Sequence, residues 1–222
     1  MKKIAIITIM LSALFASSKV AIAIKVNGNA SIFYKGLKTG KSLKPGTPLN
    51  DEDRIQTGKN GFVAIMYLDD KTVIKVLDGS DIVILGNREN NQINKSVDIN
   101  YGKIAAGISP QNGKEFRIST PTSVASVKGT ELAISSDPSM GDSFTLIEGL
   151  IEVTNTITNE STEVQQGETA FSTPEGSLEV NQTTTDDLVG FEEAEIEIQT
   201  QELRFEIEDQ NGNTKEIIIK FQ

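Results

Sequence analysis

The residues of this 222-residue chain best suited to chemistry are two dense groups of acids. One is Asp51-Glu52-Asp53 and the other is Asp69-Asp70. Calcium prefers clustered carboxylate and carbonyl oxygens, so either group could hold a cation. Their spacing does not fit an EF-hand loop, however, and aspartate is common in turns because it tolerates turn geometry. We therefore favour solvated turns and predict no metal site and no cofactor.

Few kinds of catalysis are open to the chain, because it contains no histidine and no cysteine. Their absence removes the commonest general base and every Ser-His or Cys-His catalytic unit. Two carboxylates facing one cleft could still hydrolyse a glycosidic bond. The sequence positions of the 31 acids do not distinguish any one pair as the catalytic pair. We predict a non-enzymatic protein without catalytic residues and keep a carboxylate-based carbohydrate-active enzyme as an alternative.

A series of lysines recurs every three residues in a glycine-containing stretch. It consists of Lys35, Lys38, Lys41 and Lys44. Such a series could bind a phosphorylated or acidic surface such as lipopolysaccharide. Lysine in a surface loop also opposes edge-to-edge pairing of strands. We favour this second interpretation.

The N-terminus has the features of a secretory signal peptide. Met1-Lys2-Lys3 is followed by an apolar run over residues 4–15 and by the small-x-small site Ala21-Ile22-Ala23. The apolar run is shorter than the roughly 20 residues of a membrane span. We predict a signal peptide over residues 1–23, with an uncleaved anchor as the alternative, and no membrane span after cleavage.

The balance of charge limits the partners. The whole chain carries a formal charge of −10, and loss of Lys2, Lys3 and Lys19 would leave 18 basic against 31 acidic residues, or −13. Nucleic-acid binding needs a clustered positive surface, and attachment to anionic lipid by charge alone needs basic segments. We therefore predict no nucleic-acid partner.

Strand and turn patterns continue through most of the remaining chain. Val63, Ile65 and Tyr67 alternate with other apolar residues before a turn at Asp69-Asp70-Lys71, and residues 24–34 around Gly28 resemble a first strand pair. Strands that are apolar on both faces are usually buried on both sides. Short strands with turn signals every eight to twelve residues are typical of a sandwich, barrel or solenoid. We predict an all-β fold, specifically an irregular β-solenoid or β-roll-like domain over residues 24–171.

The C-terminal part is predicted to be an appendage. Residues 172–190 are polar and rich in Ser and Thr, which indicates a linker. Residues 191–222 contain two alternating runs around Asn211-Gly212, a strong hairpin signal. A lone hairpin is marginal in water, so this one is expected to dock on its own domain or on another chain.

One stretch, RISTPTSVASVKGTELAI over residues 117–134, is more informative than the rest. It places small polar residues between apolar ones. Pro121 restricts the backbone of this stretch, and Gly129 allows it a wider range of angles. It contains no nucleophile–base pair, no metal-ligand spacing and no phosphate loop. We expect Gly129 to adopt a backbone angle that other residues resist, and Lys128 to cap a carbonyl or pair with an acid.

Three motifs occur in a recognisable order. The first is Pro45-Gly46-Thr47-Pro48-Leu49, then Asp53-Arg54-Ile55-Gln56-Thr57-Gly58 and Asn60-Gly61. The second is Ile118-Ser119-Thr120-Pro121-Thr122 with Val127-Lys128-Gly129-Thr130-Glu131, and the third is Glu148-Gly149 followed by Gln166-Gly167-Glu168. Together they resemble the FecR domain family, although Lys71 and Lys128 stand where that family usually has glycine and arginine. We interpret the following motif residues as structural: Thr57, Gly58, Gly61, Thr120, Pro121, Lys128, Gly129, Thr130, Glu148, Gly149 and Gly167.

The resemblance implies an all-β, solenoid-like extracytoplasmic domain. In the best-known members this domain belongs to a membrane-spanning regulator that relays a signal from an outer-membrane, siderophore-type transporter to an anti-sigma segment inside the cell. No cytoplasmic segment precedes the hydrophobic stretch here, so we expect a stand-alone module without that relay. The predicted function is a periplasmic or cell-surface module that binds an envelope or extracellular protein. The alternative is a self-assembling component of a surface layer or adhesin system.

Overall fold

The structure is a computed structural model. It describes residues 19–89, 92–111, 113–189 and 191, together with strands at 202–208 and 214–220. Regular structure in this part of the chain is almost entirely β-strand, with a short 3-10 helix at Asp186–Leu188. None of the described helices is long and apolar enough to cross a membrane. The prediction of an all-β chain is confirmed.

Seventeen strands of the described chain form one open, hydrogen-bonded sheet, and two more form a separate hairpin. In chain order they are β1 (Lys19–Asn27), β2 (Ala30–Phe33), β3 (Lys41–Ser42), β4 (Pro48–Asn50), β5 (Asp53–Thr57), β6 (Phe62–Tyr67), β7 (Val73–Val76), β8 (Asp81–Glu89), β9 (Gln92–Ile108), β10 (Phe116–Ser119), β11 (Ser123–Val127), β12 (Thr130–Asp137), β13 (Gly141–Glu148), β14 (Leu150–Asn155), β15 (Ser161–Gln165), β16 (Glu168–Ser172), β17 (Leu178–Gln182), β18 (Glu202–Glu208) and β19 (Thr214–Lys220).

The large sheet is folded into two layers that share β9. The first layer, called the first sheet, has the order β4-β1-β6-β7-β9-β12-β13-β16-β17. The second layer, called the second sheet, has the order β3-β2-β5-β8-β9-β10-β11-β14-β15. All of these pairings are antiparallel except β9 with β10. The chain therefore alternates between the sheets while advancing along both.

The long strand β9 passes from one sheet to the other at Gly102. Its first half pairs with β8 and β10, and its second half pairs with β7 and β12. Gly102 has a φ of +102°, and a Cβ there would lie 2.4 Å from Ser80. Only glycine fits such a bend without moving its neighbour.

One apolar core lies between the two sheets. It contains alternate residues from both, among them Ile65 of β6 and Ile55 of β5. Tyr67 of the first sheet donates its hydroxyl to the carbonyl oxygens of Leu85 at 3.2 Å and Ser96 at 2.9 Å in the second. Its ring meets Phe116 edge-on at 5.6 Å. Burial of each large apolar side chain contributes about 2 kcal/mol, so this core is the main stabilising element.

The first predicted strand pair, around Gly28, is wrong in its pairing. β1 belongs to the first sheet, whereas β2 belongs to the second. Gly28 therefore carries the chain across the core rather than around a hairpin. By contrast, the predicted turn at Asp69-Asp70-Lys71 joins β6 to β7, which do pair.

The described chain begins with a strand at its N-terminal end. Residues 1–18 lie outside the described residues, but β1 already begins at Lys19. Val20, Ala21 and Ala23 are fully buried in the core. The predicted cleavage point after Ala23 therefore falls inside a core strand.

The stretch predicted to be a linker contains regular structure. The stretch 172–190 contains β17, which pairs with β16 over its whole length, and the short 3-10 helix. The composition of residues 172–190 suggested a linker because β17 is half-exposed and polar on one side. The predicted C-terminal hairpin is present as β18 and β19, whereas its turn at 209–213 and the ambiguous segment 192–198 lie outside the described residues.

The large sheet is open and is not closed into a barrel. The more specific prediction of a solenoid or β-roll is not confirmed by this arrangement.

Candidate functional site

The Thr57-Gly58 motif joins neighbouring connections between the two sheets. The Thr57 hydroxyl donates to the carbonyl of Leu77 and accepts the N–H of Ser80 at 2.9 Å. The N–H of Gly58 donates to the carbonyl of Asn29 at 2.8 Å. A Cβ at Gly61 would lie 2.2 Å from the same Asn29 oxygen. These residues hold three connections side by side.

The Thr120-Pro121-Thr122 motif forms the turn between β10 and β11 and binds a buried carboxylate. Asp142 of β13 is 3% exposed. It accepts the Thr120 hydroxyl at 2.6 Å, the Thr122 N–H at 3.2 Å and the Thr122 hydroxyl. The motif thus fastens a turn of the second sheet to the first, while Pro121 is exposed.

The later glycine motifs also lie at connections between the sheets. Gly129 has a φ of +153° and a Cβ there would lie 3.2 Å from Pro110 Cα. Gly149, with a φ of +100°, lies against Thr130: its Cβ would be 2.7 Å from Thr130 Cγ2. The structure therefore brings together two motifs that are separated in sequence.

The remaining motif residues are less constrained. The Lys128 side chain is 78% exposed and its Nζ lies 3.8 Å from Glu115 Oε1, a separation typical of a weak surface ion pair. Glu148 is exposed. Gly167 accepts the N–H of Thr183 at 2.9 Å and has no atom near its Cβ position. Lys128 and Glu148 are the charged motif residues accessible to a partner.

A buried ion-pair cluster, which no sequence motif indicated, lies at the β6–β7 turn. The Lys95 side chain is 3% exposed, and its Nζ contacts Asp69 Oδ2 at 2.8 Å and Asp70 Oδ2 at 2.6 Å. Burial acts to raise the pKa of Asp70, but hydrogen bonds from Lys95, the Thr72 N–H and Gln111 outweigh it and lower the pKa. This acidic group is therefore an internal ion pair rather than a solvated turn.

A second cluster surrounds Asp81, which is 1% exposed. Arg54 Nε donates to it at 2.7 Å, Gln56 at 2.7 Å and Asn100 at 3.0 Å. Burial acts to raise the pKa of Asp81, and these hydrogen bonds more than offset that effect and lower it. No local pattern could have shown this cluster, because its members lie on β5, β8 and β9.

The acids of the Asp51-Glu52-Asp53 group and Lys35 also have partners within the fold. Asp51 accepts the Gly86 N–H at 2.9 Å, and Asp53 accepts the Asn50 N–H at 2.8 Å. Glu52 pairs with Lys35 at 2.8 Å, and this hydrogen bond raises the pKa of Lys35. Among the described residues, no group of three or more acids has the arrangement of a metal site.

Two depressions lie on the outer faces of the sheets, within the described part of the chain. One, of about 500 Å³, lies on the second sheet between Phe33, Arg54, Leu85 and Asp98, beneath the loop 34–38. The other, of about 190 Å³, lies on the first sheet beside Phe191.

The outer face of the first sheet is apolar over its centre. One cluster consists of Ile24, Ala64 and Met66 with the half-buried Ile22, Phe62 and Val73. A second consists of Leu77, Ala105 and Ala133, covered by Phe191. We call this surface, without Phe191, the apolar face. By strand alternation, the outer face of the second sheet is mixed. It carries the polar residues Arg54, Gln56, Asp98, Arg117 and Glu152 together with the apolar residues Phe33, Val83, Leu85 and Val124.

Both sheets end in exposed strands at the same end of the fold. Within the described residues, β15 pairs with β14 and β17 pairs with β16, each on one side alone. The Asn155 N–H donates to the Glu160 carbonyl at 2.9 Å. Along an antiparallel pair of strands, the N–H groups of successive residues point alternately toward the partner strand and away from it, so this hydrogen bond defines which N–H groups of β15 face β14. This alternation turns the N–H of Glu163 away from β14. The edge therefore presents main-chain groups to a further strand.

Comparison with known proteins gives a match to one family model and a similarity of fold. The FecR protein family model matches residues 53–152, which include all the motif residues except Gly167. Two crystal structures of candidate anti-sigma factors from Parabacteroides distasonis ATCC 8503 are similar in fold, each with a TM-score of 0.51. One is 15% identical over 60% of this chain and 61% of its own, and the other is 14% identical over 72% and 70%. This chain thus spans less than two thirds of the first. No curated protein matches it.

Proposed function

Because residues 53–152 match the FecR protein family model, we propose that this chain is an exported, non-enzymatic module that binds another protein in the periplasm or at the cell surface. The observation that best supports this proposal is the position of the motif residues in the fold. The threonines and glycines hold the connections between the sheets together, so the motifs define a scaffold rather than a cleft with reactive groups.

The binding surface in this proposal is the exposed edge of β15. An extended partner segment can add to a sheet edge through main-chain hydrogen bonds, with side-chain contacts giving specificity. The fold shared with candidate anti-sigma factors is consistent with a protein partner. The same edge would also allow copies of the chain to pair, which is the self-assembly alternative.

Capture of partners from envelope extract tests the edge directly. Glu163→Pro removes the outward N–H and should lower recovery of the partner at least tenfold, whereas Glu163→Ala should leave recovery unchanged. Equal recovery with both variants would contradict binding at this edge. Light scattering of the purified chain separates the alternatives. A molar mass that rises with concentration in the original chain, but stays at the monomer value in Glu163→Pro, would instead indicate self-assembly.

We further propose that export is accompanied by cleavage before Lys19. Cleavage after Ala23 would remove Val20, Ala21 and Ala23 from the core, at a cost of several kcal/mol. Ala16 and Ser18 provide a small-x-small site that leaves β1 whole. N-terminal sequencing of the protein from a periplasmic fraction should begin at Lys19. A mature protein that begins at Ile24 would contradict this site, and an unprocessed cytoplasmic protein would contradict export.

A further inference from the structure

The buried ion-pair cluster at the β6–β7 turn brings together the groups needed to form an amide bond between two side chains. Lys95 Nζ contacts Asp69 Oδ2 at 2.8 Å and Asp70 Oδ2 at 2.6 Å. A carbon–oxygen bond of this kind is about 1.2 Å long, so Nζ lies no more than about 4 Å from the carboxyl carbon of Asp69. Groups held this close react far faster than the same groups free in water. The cluster is thus positioned for attack of the Lys95 amine on a carboxyl group.

Shielding of the cluster from water favours the neutral product of such a reaction. The side chains of Lys95 and Asp69 are 3% and 8% exposed, and the ring of the fully buried Tyr67 lies 5.9 Å from Nζ. In water, solvation of the ammonium and carboxylate groups opposes their condensation, whereas a buried site removes that solvation. The Asp69 carboxylate is further destabilised because its Oδ1 is buried and has no hydrogen-bond partner among the described residues. Conversion to an amide removes one positive and one negative charge from this site.

The neighbours of the two aspartates assign them different roles. Asp69 Oδ2 accepts the N–H of Ile93 at 2.9 Å, so this oxygen can carry the negative charge that develops when its carbon is attacked. Asp70 is held in place by the N–H of Thr72 at 3.0 Å and by Gln111 Nε2 at 2.8 Å. Its side chain is 21% exposed, which gives a released water molecule a way out. Asp69 is therefore the carboxyl group that reacts, and Asp70 is the group that moves protons.

We propose that Lys95 and Asp69 form an isopeptide bond autocatalytically, with Asp70 as the catalytic proton carrier. Asp70 accepts a proton from the Lys95 ammonium, and the neutral amine attacks the Asp69 carboxyl carbon while Oδ2 becomes the oxyanion. Two of the three ammonium protons pass through Asp70 to Oδ1, the bond from carbon to Oδ1 breaks, and water leaves. An ammonium and a carboxylate thus become a neutral amide and one water molecule, and no oxidant, reductant or co-reactant is consumed.

The bond joins the two sheets covalently. Asp69 follows β6 of the first sheet, and Lys95 lies on the half of β9 that pairs with β8 in the second. A cross-link between distant residues restricts the unfolded chain, as a disulfide does. The chain contains no cysteine, so this bond takes the place that disulfides have in many proteins of oxidising compartments. It does not depend on the binding function proposed above.

Peptide mapping of the denatured full chain tests for the bond. Trypsin does not cleave after an acylated lysine, so residues 60–71 should be recovered joined to residues 89–103. The joined peptides should be lighter than their sum by the mass of one water molecule, and fragmentation should place the bond between Lys95 and Asp69. Recovery of residues 60–71 and 89–95 as separate peptides would overturn the proposal.

A second ion pair in the same chain is a matched control for the effect of burial. Lys35 Nζ lies at the same distance of 2.8 Å from a carboxylate oxygen of Glu52, but these side chains are 61% and 49% exposed. This pair should give no cross-linked peptide. A bond at Lys35 as well would show that burial is not what drives the reaction, and would contradict the argument made for Lys95.

Variants of the cluster separate the roles of its members. Lys95→Arg keeps a positive charge but supplies no amine that can be deprotonated, and Asp69→Ala removes the reacting carboxyl group, so neither should give the joined peptides. Asp70→Ala keeps both reacting groups and should lower the cross-linked fraction by about tenfold or more, while Asp70→Glu restores a carboxyl group and should recover the bond. A cross-link that persists in Asp69→Ala would overturn the assignment of Asp69, and a fully cross-linked Asp70→Ala would overturn that of Asp70.

Discussion

Gly149 and Gly167 offer a matched test of how far the fold depends on close packing between its connections. Both have positive φ, +100° and +81°. A Cβ at Gly149 would lie 2.7 Å from Thr130 Cγ2 and 2.8 Å from the carbonyl oxygen of Gly129, whereas nothing lies within 4 Å of a Cβ at Gly167. Alanine at either position therefore strains the backbone, but it creates a steric conflict at Gly149 alone.

The expected losses follow from these two terms. A non-glycine residue at positive φ costs about 1 kcal/mol. Overpacking against neighbours that cannot move freely adds about 2 kcal/mol. Gly167→Ala should therefore lower the unfolding free energy by about 1 kcal/mol, and Gly149→Ala should lower it by about 3 kcal/mol.

Urea denaturation followed by far-ultraviolet circular dichroism measures both losses in a chain without tryptophan. The dependence of the free energy on urea should be the same for both variants, which would show that the denatured state is unaffected. Losses that agree within about 0.5 kcal/mol would refute the reasoning. They would mean that the connections separate easily and that the glycine requirement is one of backbone angle alone.

Three further predictions concern the buried charges and the remaining glycine motif. Lys95→Met should lower the unfolding free energy by about 3–5 kcal/mol, because its two aspartate partners stay buried without a cation; a loss below about 1 kcal/mol in urea would contradict this. Asp81 has a folded-state pKa below its ordinary value of 3.8, so its contribution is present above about pH 4 and is lost as the pH falls through the folded-state pKa. Arg54→Gln should flatten the decline of stability between about pH 4 and pH 2, and an unchanged decline in an acid titration would argue against the ion pair. Gly129→Val should cost about 3 kcal/mol because a β-branched residue resists a positive φ; an unchanged melting temperature would refute that placement.

Local patterns in the sequence were sufficient to predict individual strands and several turns. Alternation over residues 63–67 and the turn at Asp69-Asp70-Lys71 gave the β6–β7 hairpin, and Lys71 indeed has a φ of +63°. The hairpin near the C-terminus was found in the same way, from Asn211-Gly212. These features depend on neighbouring residues, which is why they can be recognised from sequence.

Features that depend on distant residues could not be found in this way. Nothing near Lys95 shows that its partners lie on the β6–β7 turn, and so its burial was missed. Ala21-Ile22-Ala23 resembles a cleavage site because small residues also suit a strand that packs tightly in a core. The stretch 172–190 resembled a linker because an edge strand needs few apolar residues. In each case the sequence pattern is common to two structures, and only the tertiary contacts decide between them.

The sharing of β9 by both sheets has a consequence for the order in which the protein can be assembled. Among the described strands, every backbone pairing between those before β9 and those after it passes through β9 itself. A chain emerging from the ribosome or from an export channel can therefore complete the ladders of its first half once Ile108 has appeared. Until the second half follows, β9 presents two unpaired edges at once, and such edges are where nascent β proteins aggregate. Between the appearance of Ile108 and that of Asp137, β9 is therefore the strand whose edges we expect to pair wrongly with other chains.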